Sequence, residues 1–177
     1  MIALPFIANH RARHFGTGAQ RPVTRRTIIG LVLATAYAAQ TLGDWQADWI
    51  NRWQDIELYK QLTGGGLALL FAAQWRLTIA RSAGAVRRAN RLLVPHQYWG
   101  ATAPLWLYLH ADDFGHAYIR VMSLCFFCLV VLGLLHQTVA RINRNWLTTA
   151  WLVMHIGLAA ALIVLIGYHG FNAFYYE

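Results

Sequence analysis

Residues 92–111 read LLVPHQYWGATAPLWLYLHA, and residues 146–171 read WLTTAWLVMHIGLAAALIVLIGYHGF. Each stretch is apolar over a length that can cross a hydrocarbon core about 30 Å thick. Each also carries two histidines 14 positions apart, His96 and His110 in the first and His155 and His169 in the second. At about 100° per residue, 14 steps return to within roughly 40° of the starting direction while rising about 21 Å. Both helices therefore present two imidazoles on one face, one towards each end. Eight histidines scattered over 177 positions would give roughly 0.3 pairs at this separation, so two disjoint pairs in two apolar runs call for a chemical reason.

Neutral imidazole is a strong nitrogen ligand for iron. Two of them, one from each of two facing helices, close both axial positions of a b-type haem. The pattern predicts two stacked haems, and a haem closed on both faces moves electrons instead of binding substrate. The competing reading treats the histidines as interhelical hydrogen-bonding groups or as parts of a proton pathway.

Working outward from these runs, hydrophobic residues are 58% of the chain, charged residues 12%, and the mean hydropathy is +0.37. A soluble domain of this size could not cover so much apolar surface. The predicted fold is an all-α integral membrane bundle with about five spans, at 27–42, 58–79, 92–111, 118–140 and 146–171. It forms one haem-binding domain over 27–177 behind a basic tail, 1–26. Residues 64–66, Gly-Gly-Gly, open the second span and allow a helix or a ring to approach closely.

Charge fixes the orientation. Five basic residues precede Thr27, five lie between Arg76 and Arg91, and two, Arg141 and Arg144, lie in the fourth connection. The alternate segments hold Arg52, Lys60 and Arg120 with all seven acids: Asp44, Asp48, Asp55, Glu57, Asp112, Asp113 and Glu177. Twelve bases against three on alternating sides is a positive-inside signal that sets the N-terminus in the cytoplasm, and the expected location is a bacterial inner membrane. The net charge of +8 thus reports topology and anionic lipid and calls for no nucleic acid. Thr24–Arg25–Arg26–Thr27, with the small-residue stretch 34–39 beyond it, resembles a twin-arginine export signal; it is read here as a membrane anchor. With this topology the third and fifth spans run parallel, so His96 pairs with His155 on the cytoplasmic side and His110 with His169 on the outer side.

Other residues refine the expected site. Gly100, Gly157, Gly167, Ala101, Ala103 and Ala159–Ala161 keep the two ligand helices slim, and Pro104 should kink the third span. Haem propionates are anionic, which makes Arg88, Arg91, Arg141 and Arg144 candidates on the cytoplasmic side and Arg120 and Arg52 on the outer side. Those carried forward are Arg88, Arg91, Arg120 and Arg144. His136 is unmatched at 14 residues; it is a candidate spare ligand, propionate partner or proton handler at a quinone pocket. His116 reads as a loop residue, and His10 and His14 as parts of the tail. Cys125 and Cys128 lack the following histidine of a c-type haem motif and read as small core residues. Trp45, Trp49 and Trp53 recur every four residues among acids, which predicts an amphipathic helix over 44–57 lying in the outer interface.

The stretch from Arg87 and Arg88 through Leu92, His96, Trp99, Gly100 and His110, followed by His136, Trp146, His155 and His169, resembles the ferric reductase-like transmembrane domain. That family includes NADPH oxidases, ferric reductases and the haem subunit of the bacterial methionine sulfoxide reductase system. The resemblance covers about 58–171 and implies that His96, His110, His155 and His169 are the axial ligands of two b-haems. The chain differs in having five apparent spans and no flavin- or nucleotide-binding extension, so electrons must come from another protein or a membrane quinol. The expected function is that of a di-haem cytochrome b relaying electrons across the membrane as a subunit of a larger oxidoreductase, with another redox subunit or a soluble carrier as partner. Two other readings stay open: a quinol-oxidising, cytochrome b561-like anchor, in which quinone joins the two haems as cofactor, and a haem-free histidine-containing transporter or structural anchor.

Overall fold

A computed structural model of the chain describes residues 24–43, 45, 47–111, 113–142 and 144–175. The tail histidines His10 and His14, most of the basic tail, and Asp44, Asp112 and Glu177 lie outside these residues. The described chain is all helical: α1 (Arg25–Leu42), α2 (Asp48–Gln54), α3 (Glu57–Ser82), α4 (Val86–His110), α5 (Ala117–Ile142) and α6 (Asn145–Tyr175).

Four of these helices form a ring. α3 packs along α4, α4 along α5, α5 along α6, and α6 touches α3 only briefly. Among the described residues α4 and α6 do not pack on each other, so they occupy opposite corners of the bundle. The connections impose this arrangement: the α3–α4 turn is closed at Gly84, whose φ of +67° suits glycine, and neighbours joined by such short links run antiparallel. α1 lies outside the ring against α4 and α5. It approaches closely at Gly30, where an added Cβ would stand 2.6 Å from Leu134 Cδ2, and it is tied at one end by Arg26, which bonds Gln97 and lies over the Tyr98 ring.

The core occupies the middle of the ring. Leu67 and Phe71 from α3, Ala103 and Leu107 from α4, Phe126 and Val130 from α5, Leu162 from α6 and Tyr37 from α1 form one cluster. Leu162 is the single buried residue of α6, at 1% exposure, and it stands midway between His155 and His169, as Ala103 stands midway between His96 and His110. The apolar layer thus separates the two levels at which histidines enter. α4 stays helical through both Pro95 and Pro104, and Pro104 is fully buried.

The predicted interfacial helix is shorter than its sequence pattern. α2 covers seven residues, Asp48–Gln54, so Trp45 precedes it, and Asp55 and Ile56 break the chain before α3. Ile50 is buried beneath it and Gln54 Nε2 donates to the Tyr108 carbonyl, while Trp45, Trp49 and Trp53 are exposed. α5 and α6 are each long and apolar enough to cross a membrane. α1, α3 and α4 overlap the other three predicted spans, α4 starting six residues earlier at Val86, but among the described residues only α5 and α6 are apolar enough to qualify, because basic and amide side chains punctuate the others.

Candidate functional site

The four histidines predicted from spacing come together as two pairs. The ring centres of His96 and His155 lie 6.2 Å apart with planes inclined at 70°, and those of His110 and His169 lie 6.2 Å apart with planes inclined at 76°. Because His96 meets His155 and His110 meets His169, α4 and α6 run in the same direction. The two levels are about 21 Å apart along the helices. The imidazoles reach inward from opposite corners of the ring, across a space that no backbone contact between α4 and α6 closes.

The separation is informative. A direct N–H···N hydrogen bond of about 2.9 Å would bring two imidazole centres to about 5 Å. A metal–nitrogen bond of about 2 Å on each side, with each ring centre roughly 1.1 Å further, puts the centres about 6 Å apart. A separation of 6.2 Å leaves room for one metal ion between the two rings of each pair, and it also lies within the range of edge-to-face ring contacts. A buried polar nitrogen also carries a cost: Nδ1 of His96 and of His155 is buried without a hydrogen-bond partner, and such atoms cost about 1–3 kcal/mol each. A metal would engage one nitrogen of each ring; with Nε2 as that nitrogen, Nδ1 of His96 and of His155 still has no hydrogen-bond partner. The donor set fits haem iron.

The surroundings of the two pairs differ. His110 Nδ1 is 3.3 Å from Thr63 Oγ1, and an added Cβ at Gly64 would meet His110 Cε1 at 2.8 Å. The glycine run thus acts at Gly64; Gly65 and Gly66 face open space. His169 Nδ1 is 3.4 Å from the Tyr118 hydroxyl, which also accepts from Asn172 Nδ2. At the other level, Trp151 lies flat against His155, 5.3 Å between ring centres at 17°. Its Nε1 donates to the Leu132 carbonyl at 2.7 Å. Gly133 leaves room for His155, whose Cε1 would be 3.7 Å from a Cβ there.

His136 stands on the far side of Trp151, with ring centres 5.3 Å apart. The indole is therefore interposed between His136 and His155. The His136 Nδ1 is buried without a partner. Arg88, Arg91 and Arg144 are exposed at the His96/His155 end. Arg120 donates through Nε to the Gly115 carbonyl at 3.2 Å and so braces the loop before α5. His116 is exposed, and Cys125 and Cys128 are free thiols. Gly157 and Gly167 face open space.

Sequence reasoning missed Thr63, Tyr118 and Trp151. Trp151 had a signal, since it precedes His155 by four and shares its face. Thr63 and Tyr118 had none, because each meets a histidine on another helix. Comparison with family models, with curated proteins and with solved structures finds no match for this chain.

Proposed function

We propose that the protein is a di-haem membrane cytochrome b that relays electrons between the two faces of a bacterial inner membrane. The observation that carries this reading is the repetition of one ligand geometry, 6.2 Å between ring centres, at two levels of one bundle. Haem, when bound, supplies a one-electron iron couple. His96 and His155 hold the iron at one level, and His110 and His169 hold it at the other. The layer of Phe71, Ala103, Phe126 and Leu162 keeps water out between them.

Five helices cross the bilayer in this reading. α5 and α6 qualify by length and apolarity, and α6 exposes Val153, Met154, Val164, Phe171 and Phe174 along its length, a surface suited to lipid. The described acids Asp48, Asp55, Glu57 and Asp113 lie at the His110/His169 end, whereas Arg81, Arg87, Arg88, Arg91, Arg141 and Arg144 lie at the His96/His155 end. With only Arg52, Lys60 and Arg120 as bases at the acidic end, that division supports a cytoplasmic His96/His155 level. The reading agrees with the resemblance of residues 58–171 to the haem domain of the ferric reductase-like family.

One observation favours quinol as the electron donor. A groove of about 410 Å³ between α3 and α4 is lined by Leu69, Ala73, Leu77, Pro95 and Trp99, carries Gln74 and Arg76, and reaches His96. Leu69, Ala73, Pro95 and Trp99 are exposed, so the groove opens outward, where lipid would lie. A hydrophobic quinol entering from the bilayer would meet polar groups beside the cytoplasmic-side ligand. Reduction of membranes containing the protein by a short-chain quinol, followed at the b-type α-band, tests this. Rapid reduction lost in Gln74→Leu supports the site, and reduction unaffected by it removes the quinol reading.

A further inference from the structure

The two histidine pairs differ in what their second ring nitrogens meet, and the hydrogen-bond inventory of one hydroxyl assigns a proton. Thr63 Oγ1 has a single hydrogen. It lies 2.8 Å from the Tyr59 carbonyl, 3.2 Å from the Lys60 carbonyl and 3.3 Å from His110 Nδ1. Carbonyl oxygens only accept, so the hydroxyl proton goes to the Tyr59 carbonyl, and towards His110 the oxygen presents a lone pair. His110 Nδ1 must then be the donor, which leaves the lone pair of His110 on Nε2. The ring is held in the tautomer that a metal requires, before any metal arrives. His169 differs: the Tyr118 hydroxyl accepts from Asn172 Nδ2 and lies 3.4 Å from His169 Nδ1, to which it can donate in the metal-free ring and from which it accepts only when a metal holds Nε2. At the other level Nδ1 of His96 and of His155 forms no hydrogen bond among the described residues, and the Gln74 side chain donates to the backbone carbonyl of His96.

We propose that Thr63 and Tyr118 are positioning residues that accept hydrogen bonds from the ligand rings of His110 and His169 and thereby make the iron at that level the more reducing of the two. The inference rests on the di-haem reading. Its physical basis is that an acceptor on the distal N–H raises the basicity of a ligating imidazole. A more basic ligand stabilises the ferric over the ferrous state, so the couple falls in potential. Hydroxyl oxygens at one level and no acceptor at the other split the two couples in a stated order.

The test is a spectroelectrochemical titration of the holoprotein, after haem stoichiometry has confirmed two haems per chain. Thr63→Val keeps the shape of the side chain and removes the acceptor. Tyr118→Phe keeps the ring that packs edge-on against Tyr168 and removes the hydroxyl. Each substitution should raise the lower of the two potentials, increasing the reduced-to-oxidised ratio of that haem about threefold to tenfold at a fixed ambient potential, tenfold being 59 mV for one electron. The higher potential should stay where it is, and Thr63→Ser should restore the original titration. Two bound haems with neither potential moved, or an equal shift at both, would overturn the proposal while leaving the di-haem reading intact. Absence of haem from the wild-type protein would instead end the reading on which it rests.

Discussion

Trp151 lies flat on His155, 5.3 Å away at 17°, and is itself pinned by the hydrogen bond from its Nε1 to the Leu132 carbonyl. The indole therefore fixes the plane of an imidazole that has no hydrogen bond of its own on Nδ1. This is the counterpart, at one level of the bundle, of what Thr63 and Tyr118 do at the other. Trp151→Leu should loosen the His96/His155 haem and lower its occupancy several-fold, leaving the other haem in place. Haem content per chain, measured beside a redox titration that resolves the two couples, checks this.

Close approach at Gly64 gives a sharper steric prediction. A Cβ there would stand 2.8 Å from His110 Cε1, whereas Gly65 and Gly66 face open space. On the di-haem proposal, Gly64→Val should displace His110 and cost about half of the haem, all from the His110/His169 level. Gly65→Ala should bind the full complement, so equal haem in the two variants would show that His110 tolerates the crowding and does not need its observed position.

Ligand planes make a spectroscopic prediction. Both pairs have planes far from parallel, 70° and 76°. Perpendicular axial imidazoles leave the ferric iron d-orbitals nearly degenerate, which gives a highly anisotropic low-spin electron paramagnetic resonance signal. Two such signals are expected from the oxidised protein, one lost in His96→Leu and the other in His110→Leu. A rhombic spectrum typical of parallel planes would contradict the observed ring orientations.

Sidedness follows from charge and pairing together. In sealed vesicles of known orientation, an impermeant reductant at the acidic face should still reduce the His110/His169 haem of a His96→Leu variant, but should deliver no electrons to the opposite face. Loss in that variant of the haem reached from the acidic face would reverse the topology.

Much of this architecture was legible because its signals are periodic. Fourteen residues are close to four helical turns, so the pairing of His96 with His155 and of His110 with His169 could be read from spacing and charge before any coordinates. Most helix limits were legible within about four residues, but α4 begins at Val86 and runs through Arg87, Arg88 and Arg91, and α3 continues past Arg76 to Ser82, because an apolar run marks the buried or lipid-facing part of a helix and not its ends. Contacts between helices were not legible. Thr63 and His110 are 47 positions apart and Tyr118 and His169 are 51 apart; neither pair obeys a sequence period. The short extent of α2 also escaped the pattern, since a four-residue tryptophan repeat continues through Trp45 although the helix begins only at Asp48.

The central claim is that two irons sit between two pairs of histidines. Its most direct test is a pyridine haemochrome determination on the purified protein, with reduced-minus-oxidised spectra of the wild type and of the His96→Leu and His110→Leu variants. The account predicts two b-type haems per chain in the wild type and one in each variant. A wild-type protein with no b-type α-band, or with undiminished haem in both variants, would contradict it.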